Sequence, residues 1–302
     1  MNSVLAPWQH QFIETNHIRL HYVTQGEGEL VVLLHGFAEF WYSWRYQLPE
    51  LARHFKVVVP DLRGYNDSDK PQGGYDLTTL GTDILGLIHN LGYRQAHVVG
   101  HDCGGMIVWH LAQHYPDALK GIALLNAPHP QHLVQDLIGN WDQMRRNWPL
   151  LAMQVPGVPE WLIRQNLQQF LREWFQSQAI RKAAFSSETL RIYRAALEKT
   201  GVVTSALNSY RQLFSAGQWL SRLGRLPQPI QVPALVLWGE EDSLLSPQSQ
   251  ATLEQLIKAP FRFKAIPECG HWIQQEVPRL VNRELLSFLR GFENSDLQTL
   301  DS

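Results

Sequence analysis

The 302-residue sequence predicts an α/β protein, a mostly parallel sheet with helices on both faces and an inserted helical lid. Three observations carry this. Short unbroken apolar runs such as Leu30–Leu34 read as strands buried on both faces. Segments of helical period alternate with those runs. Between residues 130 and 229 no convincing strand occurs, and Gln, Arg, Leu and Trp dominate before the strands resume. The core is therefore expected to be discontinuous, built from residues 1–129 and 230–302, with 130–229 as the lid.

The elements follow in order. Two strands, 11–14 and 18–24, open the chain ahead of the turn Gln25-Gly26-Glu27-Gly28. Leu30–Leu34 begins a series continued at 56–59, 96–99, 121–125, 234–238 and 262–266. Helical spacing places helices at 42–54, 77–91, 105–114, 247–257 and 279–292. Inside the insertion, 162–175 and Ser187–Leu197 show the same spacing. Val155-Pro156-Gly157-Val158-Pro159 punctuates that region and Leu226-Pro227-Gln228-Pro229 closes it.

Apolar residues make up 44% of the chain, enough to exclude global disorder. Charged residues are 18%, below the ~25% of an average soluble protein, so much of the surface must be neutral. Lys and Arg number 26 against 28 Asp and Glu, a net charge of −2 that offers no footprint for nucleic acid or an anionic membrane. Two cysteines, Cys103 and Cys269, are too few for a disulfide framework. Met1 to His10 lacks a basic region followed by an apolar run, and no apolar stretch approaches the ~20 residues of a membrane span. A cytoplasmic globular protein is expected. Its oligomeric state is not encoded legibly, and a homodimer is compatible with the sequence.

Chemistry concentrates at Gly100-His101-Asp102-Cys103-Gly104-Gly105, between a buried strand and a helix. Small residues two before and two after the central acid permit the sharp turn of a nucleophile elbow. An ionised carboxylate is a nucleophile at neutral pH without any base. Attack on an acyl carbon would give an anhydride, whereas attack on a saturated carbon gives an ordinary ester that water can cleave. Asp102 therefore points to displacement at an sp³ carbon. The bland alternative is that Asp102 only caps the following helix.

Asp242, in Glu240-Glu241-Asp242, and His271, in Gly270-His271-Trp272, each follow a predicted strand, at the edge where catalytic groups of open α/β sheets gather. His271 would activate water while Asp242 fixes its tautomer. His35-Gly36-Phe37 follows Leu30–Leu34, so the N–H groups of Phe37 and Cys103 can form an oxyanion hole for ester hydrolysis.

The order nucleophile, acid, base is that of α/β-hydrolases. Several stretches resemble the epoxide hydrolase branch of that superfamily: the run from His35 to Arg45, Asp61-Leu62-Arg63-Gly64-Tyr65, the run from Gly100 to Met106, and Asn126-Ala127-Pro128-His129-Pro130. Two stretches of the insertion resemble lid motifs of the same family, Gln154-Val155-Pro156 with Pro159-Glu160, and Leu207-Asn208-Ser209-Tyr210-Arg211. The resemblance covers essentially the whole chain. It implies that Tyr210 donates a proton to an epoxide oxygen, that the product is a vicinal diol, and that no cofactor or metal is needed. The low charge and Trp-rich lid suit a small apolar organic substrate.

Three positions depart from the family pattern. Ala38 stands where Pro is usual, and Cys103 where many members carry Trp. Pro149 occupies the position of a second lid tyrosine, leaving Tyr210 alone or assisted by Trp148 or Tyr193. Haloalkane or haloacid dehalogenation uses the same Asp–His–Asp logic. It needs an indole after the nucleophile, or arginines one and four residues on, where this chain has Cys103 and Met106. A lidded ligand-binding protein on this fold would have no need of His271 behind Asp102.

Other features are weaker. His110 and His114 share a helix face without the glutamate of a zinc-protease motif, and read as ordinary helix residues. Asn66-Asp67-Ser68-Asp69 lacks the glycine and distal glutamate of a calcium loop and reads as a solvated turn. Trp141, Trp148, Trp161 and Trp174 divide between pocket lining and packing. Cys103 and Cys269 neighbour the predicted triad, and a reducing compartment would keep them as thiols.

Overall fold

The structure is a computed structural model and describes residues 8–131, 152–213, 228–245 and 250–291. Strands β1 (Gln9–Thr15) and β2 (Ile18–Gln25) form a hairpin whose two turn residues, Asn16 and His17, both have positive φ, as a tight hairpin turn requires. Strands β3 (Leu30–Leu34), β4 (Lys56–Pro60), β5 (Ala96–His101), β6 (Leu119–Leu125), β7 (Ala234–Gly239) and β8 (Phe261–Ile266) complete a sheet of order β1-β2-β4-β3-β5-β6-β7-β8. The β1–β2 and β2–β4 pairs are antiparallel and all others parallel. β3, β5 and β7 are buried along their whole length, which is why they read as continuous apolar runs.

Register sets the site. Leu34 lies beside Gly100, His101 beside Leu125, and Leu125 beside Leu237, so the loops after β3, β5, β6 and β7 open at one edge. Helices α1 (Leu48–Leu51), α2 (Leu77–Asn90) and α3 (Cys103–His114) precede β6. Between β6 and β7 come α4 (Val158–Gln165), α5 (Leu167–Leu171), α6 (Ser187–Leu197) and α7 (Val202–Leu213). Helices α8 (Gln250–Leu256), α9 (Ile273–Glu276) and α10 (Pro278–Leu289) follow β7. No helix among the described residues is long and apolar enough to cross a membrane.

Three predicted helices need correction. The segment 42–54 is a 3₁₀ turn, Trp41–Trp44, followed by the short α1. Pro49 explains the break, since its ring would clash with the carbonyl four residues back if a helix ran through. The segment 162–175 is interrupted at Asn166 (φ −145°, ψ 67°), whose side chain accepts from the Gln169 N–H and restarts the helix as α5. The segment 279–292 instead follows the separate turn α9, runs as α10, and stops short before Gly291 at φ +88°. The predicted solvated turn holds for Asp67 and Asp69, which are exposed, but not for its other two residues. Asn66 and Ser68 are buried, and both hydrogen-bond to Asp61, through its carboxylate and its carbonyl respectively. Trp141, Trp148 and Pro149 lie outside the described residues.

Candidate active site

The elbow is present and strained. Asp102 directly follows β5 with φ +49° and ψ −121°, a conformation that costs energy for a residue with a Cβ. Its side chain makes no capping bond to α3, so the capping alternative fails. Glycines make the turn possible. A Cβ on Gly100 would lie 2.6 Å from the backbone of Gly104 and Gly105, and one on Gly105 would lie 2.1 Å from the Ala127 side chain. Gly36 has a different task. A Cβ there would strike Asp102, so only glycine lets the β3 loop approach closely enough for the Phe37 N–H to donate to Asp102 Oδ2 at 2.9 Å.

Asp242 and His271 meet across the β7 and β8 loops. His271 Nδ1 lies 2.8 Å from Asp242 Oδ2. That oxygen also accepts from Asn126 Nδ2 at 2.7 Å, and Oδ1 accepts from the N–H groups of Leu244 and Leu245 at 2.8 and 3.0 Å. Burial would raise the Asp242 carboxyl, but His271 and these donors hold it below its ordinary value. Burial would likewise lower the His271 imidazole. The charge and hydrogen bond of Asp242, with the charges of Asp102 and Glu39, outweigh it and push His271 up to about 9.

Tyr210 enters from α7. It is buried, and its ring packs edge-on against Phe37 at 5.2 Å between centroids. Burial, then Cys103 and Asp102, push its phenol well above its ordinary value, so it stays protonated. Trp174 packs against Phe37 at 5.3 Å and stacks on Phe170, whereas Trp161 is 60% exposed. Cys103 is the first residue of α3, and burial and Asp102 keep it a neutral thiol. Burial alone pushes the buried Cys269 up, to about 12 once its neighbours are included, and both cysteines are free. Tyr193 is occupied elsewhere, its hydroxyl accepting from Gln275 Nε2 at 3.0 Å.

Comparison with known proteins now adds to this geometry. A family model described as the alpha/beta hydrolase fold matches residues 29–278. The chain belongs to the α/β-hydrolase family. Epoxide hydrolase 4 of Mus musculus is 35% identical over 286 residues, covering 92% of this chain and 78% of that protein. The AB hydrolase superfamily protein YfhM of Bacillus subtilis is 37% identical, covering 93% and 98%. Among solved structures, the epoxide hydrolase of Bacillus megaterium in complex with an inhibitor superposes with a TM-score of 0.84 at 30% identity, covering 93% of this chain and all of that one. The chain is thus an enzyme of the α/β-hydrolase type, similar to proteins named epoxide hydrolases.

Sequence reasoning missed a buried polar group behind this α/β-hydrolase site. His101 Nε2 donates to the His271 carbonyl at 3.0 Å, and His101 Nδ1 lies 2.8 Å from Glu39 Oε2. That oxygen also accepts from the Gly36 N–H, while Oε1 accepts from Gln274 and Gln275. Burial would raise the Glu39 carboxyl, but His101 and the Gly36 N–H hold it down. Glu39 therefore braces the Phe37 loop and, through His101, the backbone of His271. Asn126 was missed as well, although it sits within a recognised motif. Its Oδ1 accepts from the Gly239 N–H, tying β6 to β7 beside Asp242. His110 and His114 stack at 4.2 Å and join no metal-ligand cluster among the described residues.

Proposed function

We propose that this α/β-hydrolase is an epoxide hydrolase acting through an alkyl ester on Asp102. The observation that carries the reading is the strained elbow, which presents a carboxylate with the Phe37 N–H 2.9 Å from its Oδ2, beside the buried Tyr210 ring system. The epoxide hydrolases among its relatives point the same way. Residues 130–229 act as a lid, closing a small apolar organic substrate over Asp102 against Phe37, Trp174 and Tyr210.

The first step forms a bond from an Asp102 oxygen to one epoxide carbon and breaks that carbon's bond to the ring oxygen. Tyr210 gives its proton to this oxygen. A raised phenol pKa does not prevent the transfer, because an alkoxide is a far stronger base than a phenolate. In the second step water adds to the ester carbonyl, and the oxyanion is held by the N–H groups of Phe37 and Cys103. Collapse releases the vicinal diol and restores Asp102. One proton of the water goes to His271, which passes it to the departing alkoxide; the other, left on the Asp102 carboxyl, goes to the Tyr210 phenolate, so Asp102 and Tyr210 regain their starting forms.

His271 at about 9 is protonated in the resting enzyme at neutral pH and could not act as that base. Alkylation works against this. Esterified Asp102 carries no charge, so one of the charges that raise His271 is lost, while Asp242 and Glu39 continue to raise it. Asp242 retains the tautomer and stabilises the imidazolium.

A side-by-side assay of styrene oxide and 1-chlorohexane tests the reading. Diol formation without halide release is expected. Chloride release with no diol from the parent protein would transfer the chemistry to dehalogenation, which Cys103 in place of an indole disfavours.

A further inference from the structure

Away from the catalytic edge, a cleft of 880 Å³ opens between the 45–50 segment and α10. The spacing of Arg279, Arg283 and Leu286 puts all three on one face of α10, Arg290 caps its C-terminus, and all four line this cleft. Arg45 lines it from the opposite side, with Tyr46 as an apolar neighbour that is 41% exposed. Four guanidinium groups thus face one carboxylate, Glu50, which already bridges Arg53 at 3.2 Å. This local excess of positive charge sits in a chain whose net charge is −2.

Among the described residues, these arginines have few counter-ions of their own. Arg279 has no acidic partner within 4 Å among the described residues. Arg283 reaches Glu284 at 3.3 Å, but that carboxylate is shared with Lys264 and Arg262. Arg290 contacts His54 rather than an acid. Arg45 is the innermost of the four, and its charge is met from within. It is only 7% exposed, lies over the rings of Tyr42 and Tyr46, and donates to Gln275 Oε1 at 2.7 Å and to the Tyr42 carbonyl. No carboxylate lies within 4 Å of it among the described residues. Gln275 in turn donates to the Glu39 carboxylate, so the charge left for a ligand is that of Arg279, Arg283 and Arg290.

We propose that this cleft is a binding site for a small organic anion with an apolar body. Its charged head, a carboxylate or a phosphate ester, is held by Arg279 and Arg283, whose planar forks match either group. Its body lies on Tyr46 and Leu286. The site shares no residue with the proposed catalytic machinery. Arg45 is unsuitable for a test because it reaches Glu39 through Gln275.

The test is calorimetric titration of the full chain with decanoate, decyl phosphate, inorganic phosphate and decanol. It compares the parent with Arg279→Ala/Arg283→Ala and Arg279→Glu/Arg283→Glu. Both side chains are exposed, and melting curves check that the variants fold. Decanoate and decyl phosphate are expected to bind the parent at one site, and inorganic phosphate about tenfold more weakly or less. Removing two charge-assisted contacts should weaken both amphiphilic anions by about 100-fold, with the larger loss on charge reversal. Decanol affinity should not change. Unchanged anion affinity in the double variants would overturn the proposal, as would anion binding that competes with epoxide, because the ligand would then sit in the substrate pocket.

Discussion

The sheet edge and the helical segment between β6 and β7 are built to different tolerances. At the edge every functional atom is over-determined. The Asp242 carboxylate accepts four hydrogen bonds, Asp102 is held at φ +49°, and the glycines around it leave no room for a Cβ. In the helical segment a Cβ on Gly157 would meet nothing within 4 Å, and Val158, Trp161 and Leu162 are more than half exposed. Tyr210 in that segment packs its ring edge-on against Phe37. Groups that develop or lose charge need fixed geometry, whereas the wall meeting the variable part of a substrate gains from looser constraint.

The largest expected effect removes the proposed nucleophile at the rigid edge. Asp102→Asn should abolish diol formation while the fold is retained. It also removes one of the charges that raise His271, so NMR titration of the imidazole should give a value below the parent's, which lies at about 9. An unshifted titration would mean that the Asp102 charge does not raise His271.

Tyr210→Phe tests the contribution of the helical segment. Only the hydroxyl is lost and the ring contact with Phe37 remains, so turnover should fall by ~10²–10⁴-fold, toward the upper end, with the melting temperature nearly unchanged. Retained epoxide turnover would show that a different group protonates the oxygen.

A pair of glycine variants sets the two tolerances against each other. Gly100→Ala forces a methyl group to within 2.6 Å of backbone and should cost ~1–3 kcal/mol or more by calorimetry. Gly157→Ala meets only the penalty of its φ of +86° and should cost about 1 kcal/mol. Equal losses would remove the contrast between the regions.

The smallest effect is a slope with pH. The folded His271 value of about 9 lies above the ordinary 6.5 of an unfolded chain, so its stabilisation is full below pH 6.5 and fades as pH rises through about 9. Asp242 is shifted the other way and loses its contribution as acid protonates it. Denaturant melts of His271→Gln should flatten the alkaline slope relative to the parent.

The legibility of the sequence follows the same division. Strands at the core announced themselves because burial on both faces demands unbroken apolar runs, and the elbow because its glycines and central acid admit few other readings. Asp102, Asp242 and His271 follow from their places after strands, and the structure brings Asp242 and His271 together at 2.8 Å. Glu39 and His101 were not legible as a pair, since 62 residues separate them and only the sheet register joins them. The breaks at Asn166 and Pro49 were legible in principle. A side chain able to capture a backbone N–H and an imino acid without one both interrupt helical periodicity, but an apolar pattern does not register them.

The ester on Asp102 is the centre of the proposed mechanism, and His271→Gln tests it most directly. Without its base the enzyme should still open the epoxide but hold the product as an ester. Intact-protein mass spectrometry after incubation with styrene oxide should show one substrate-sized adduct, and peptide mapping should place it on the fragment containing Asp102. Free turnover by the variant, or an adduct on any other residue, would contradict the mechanism.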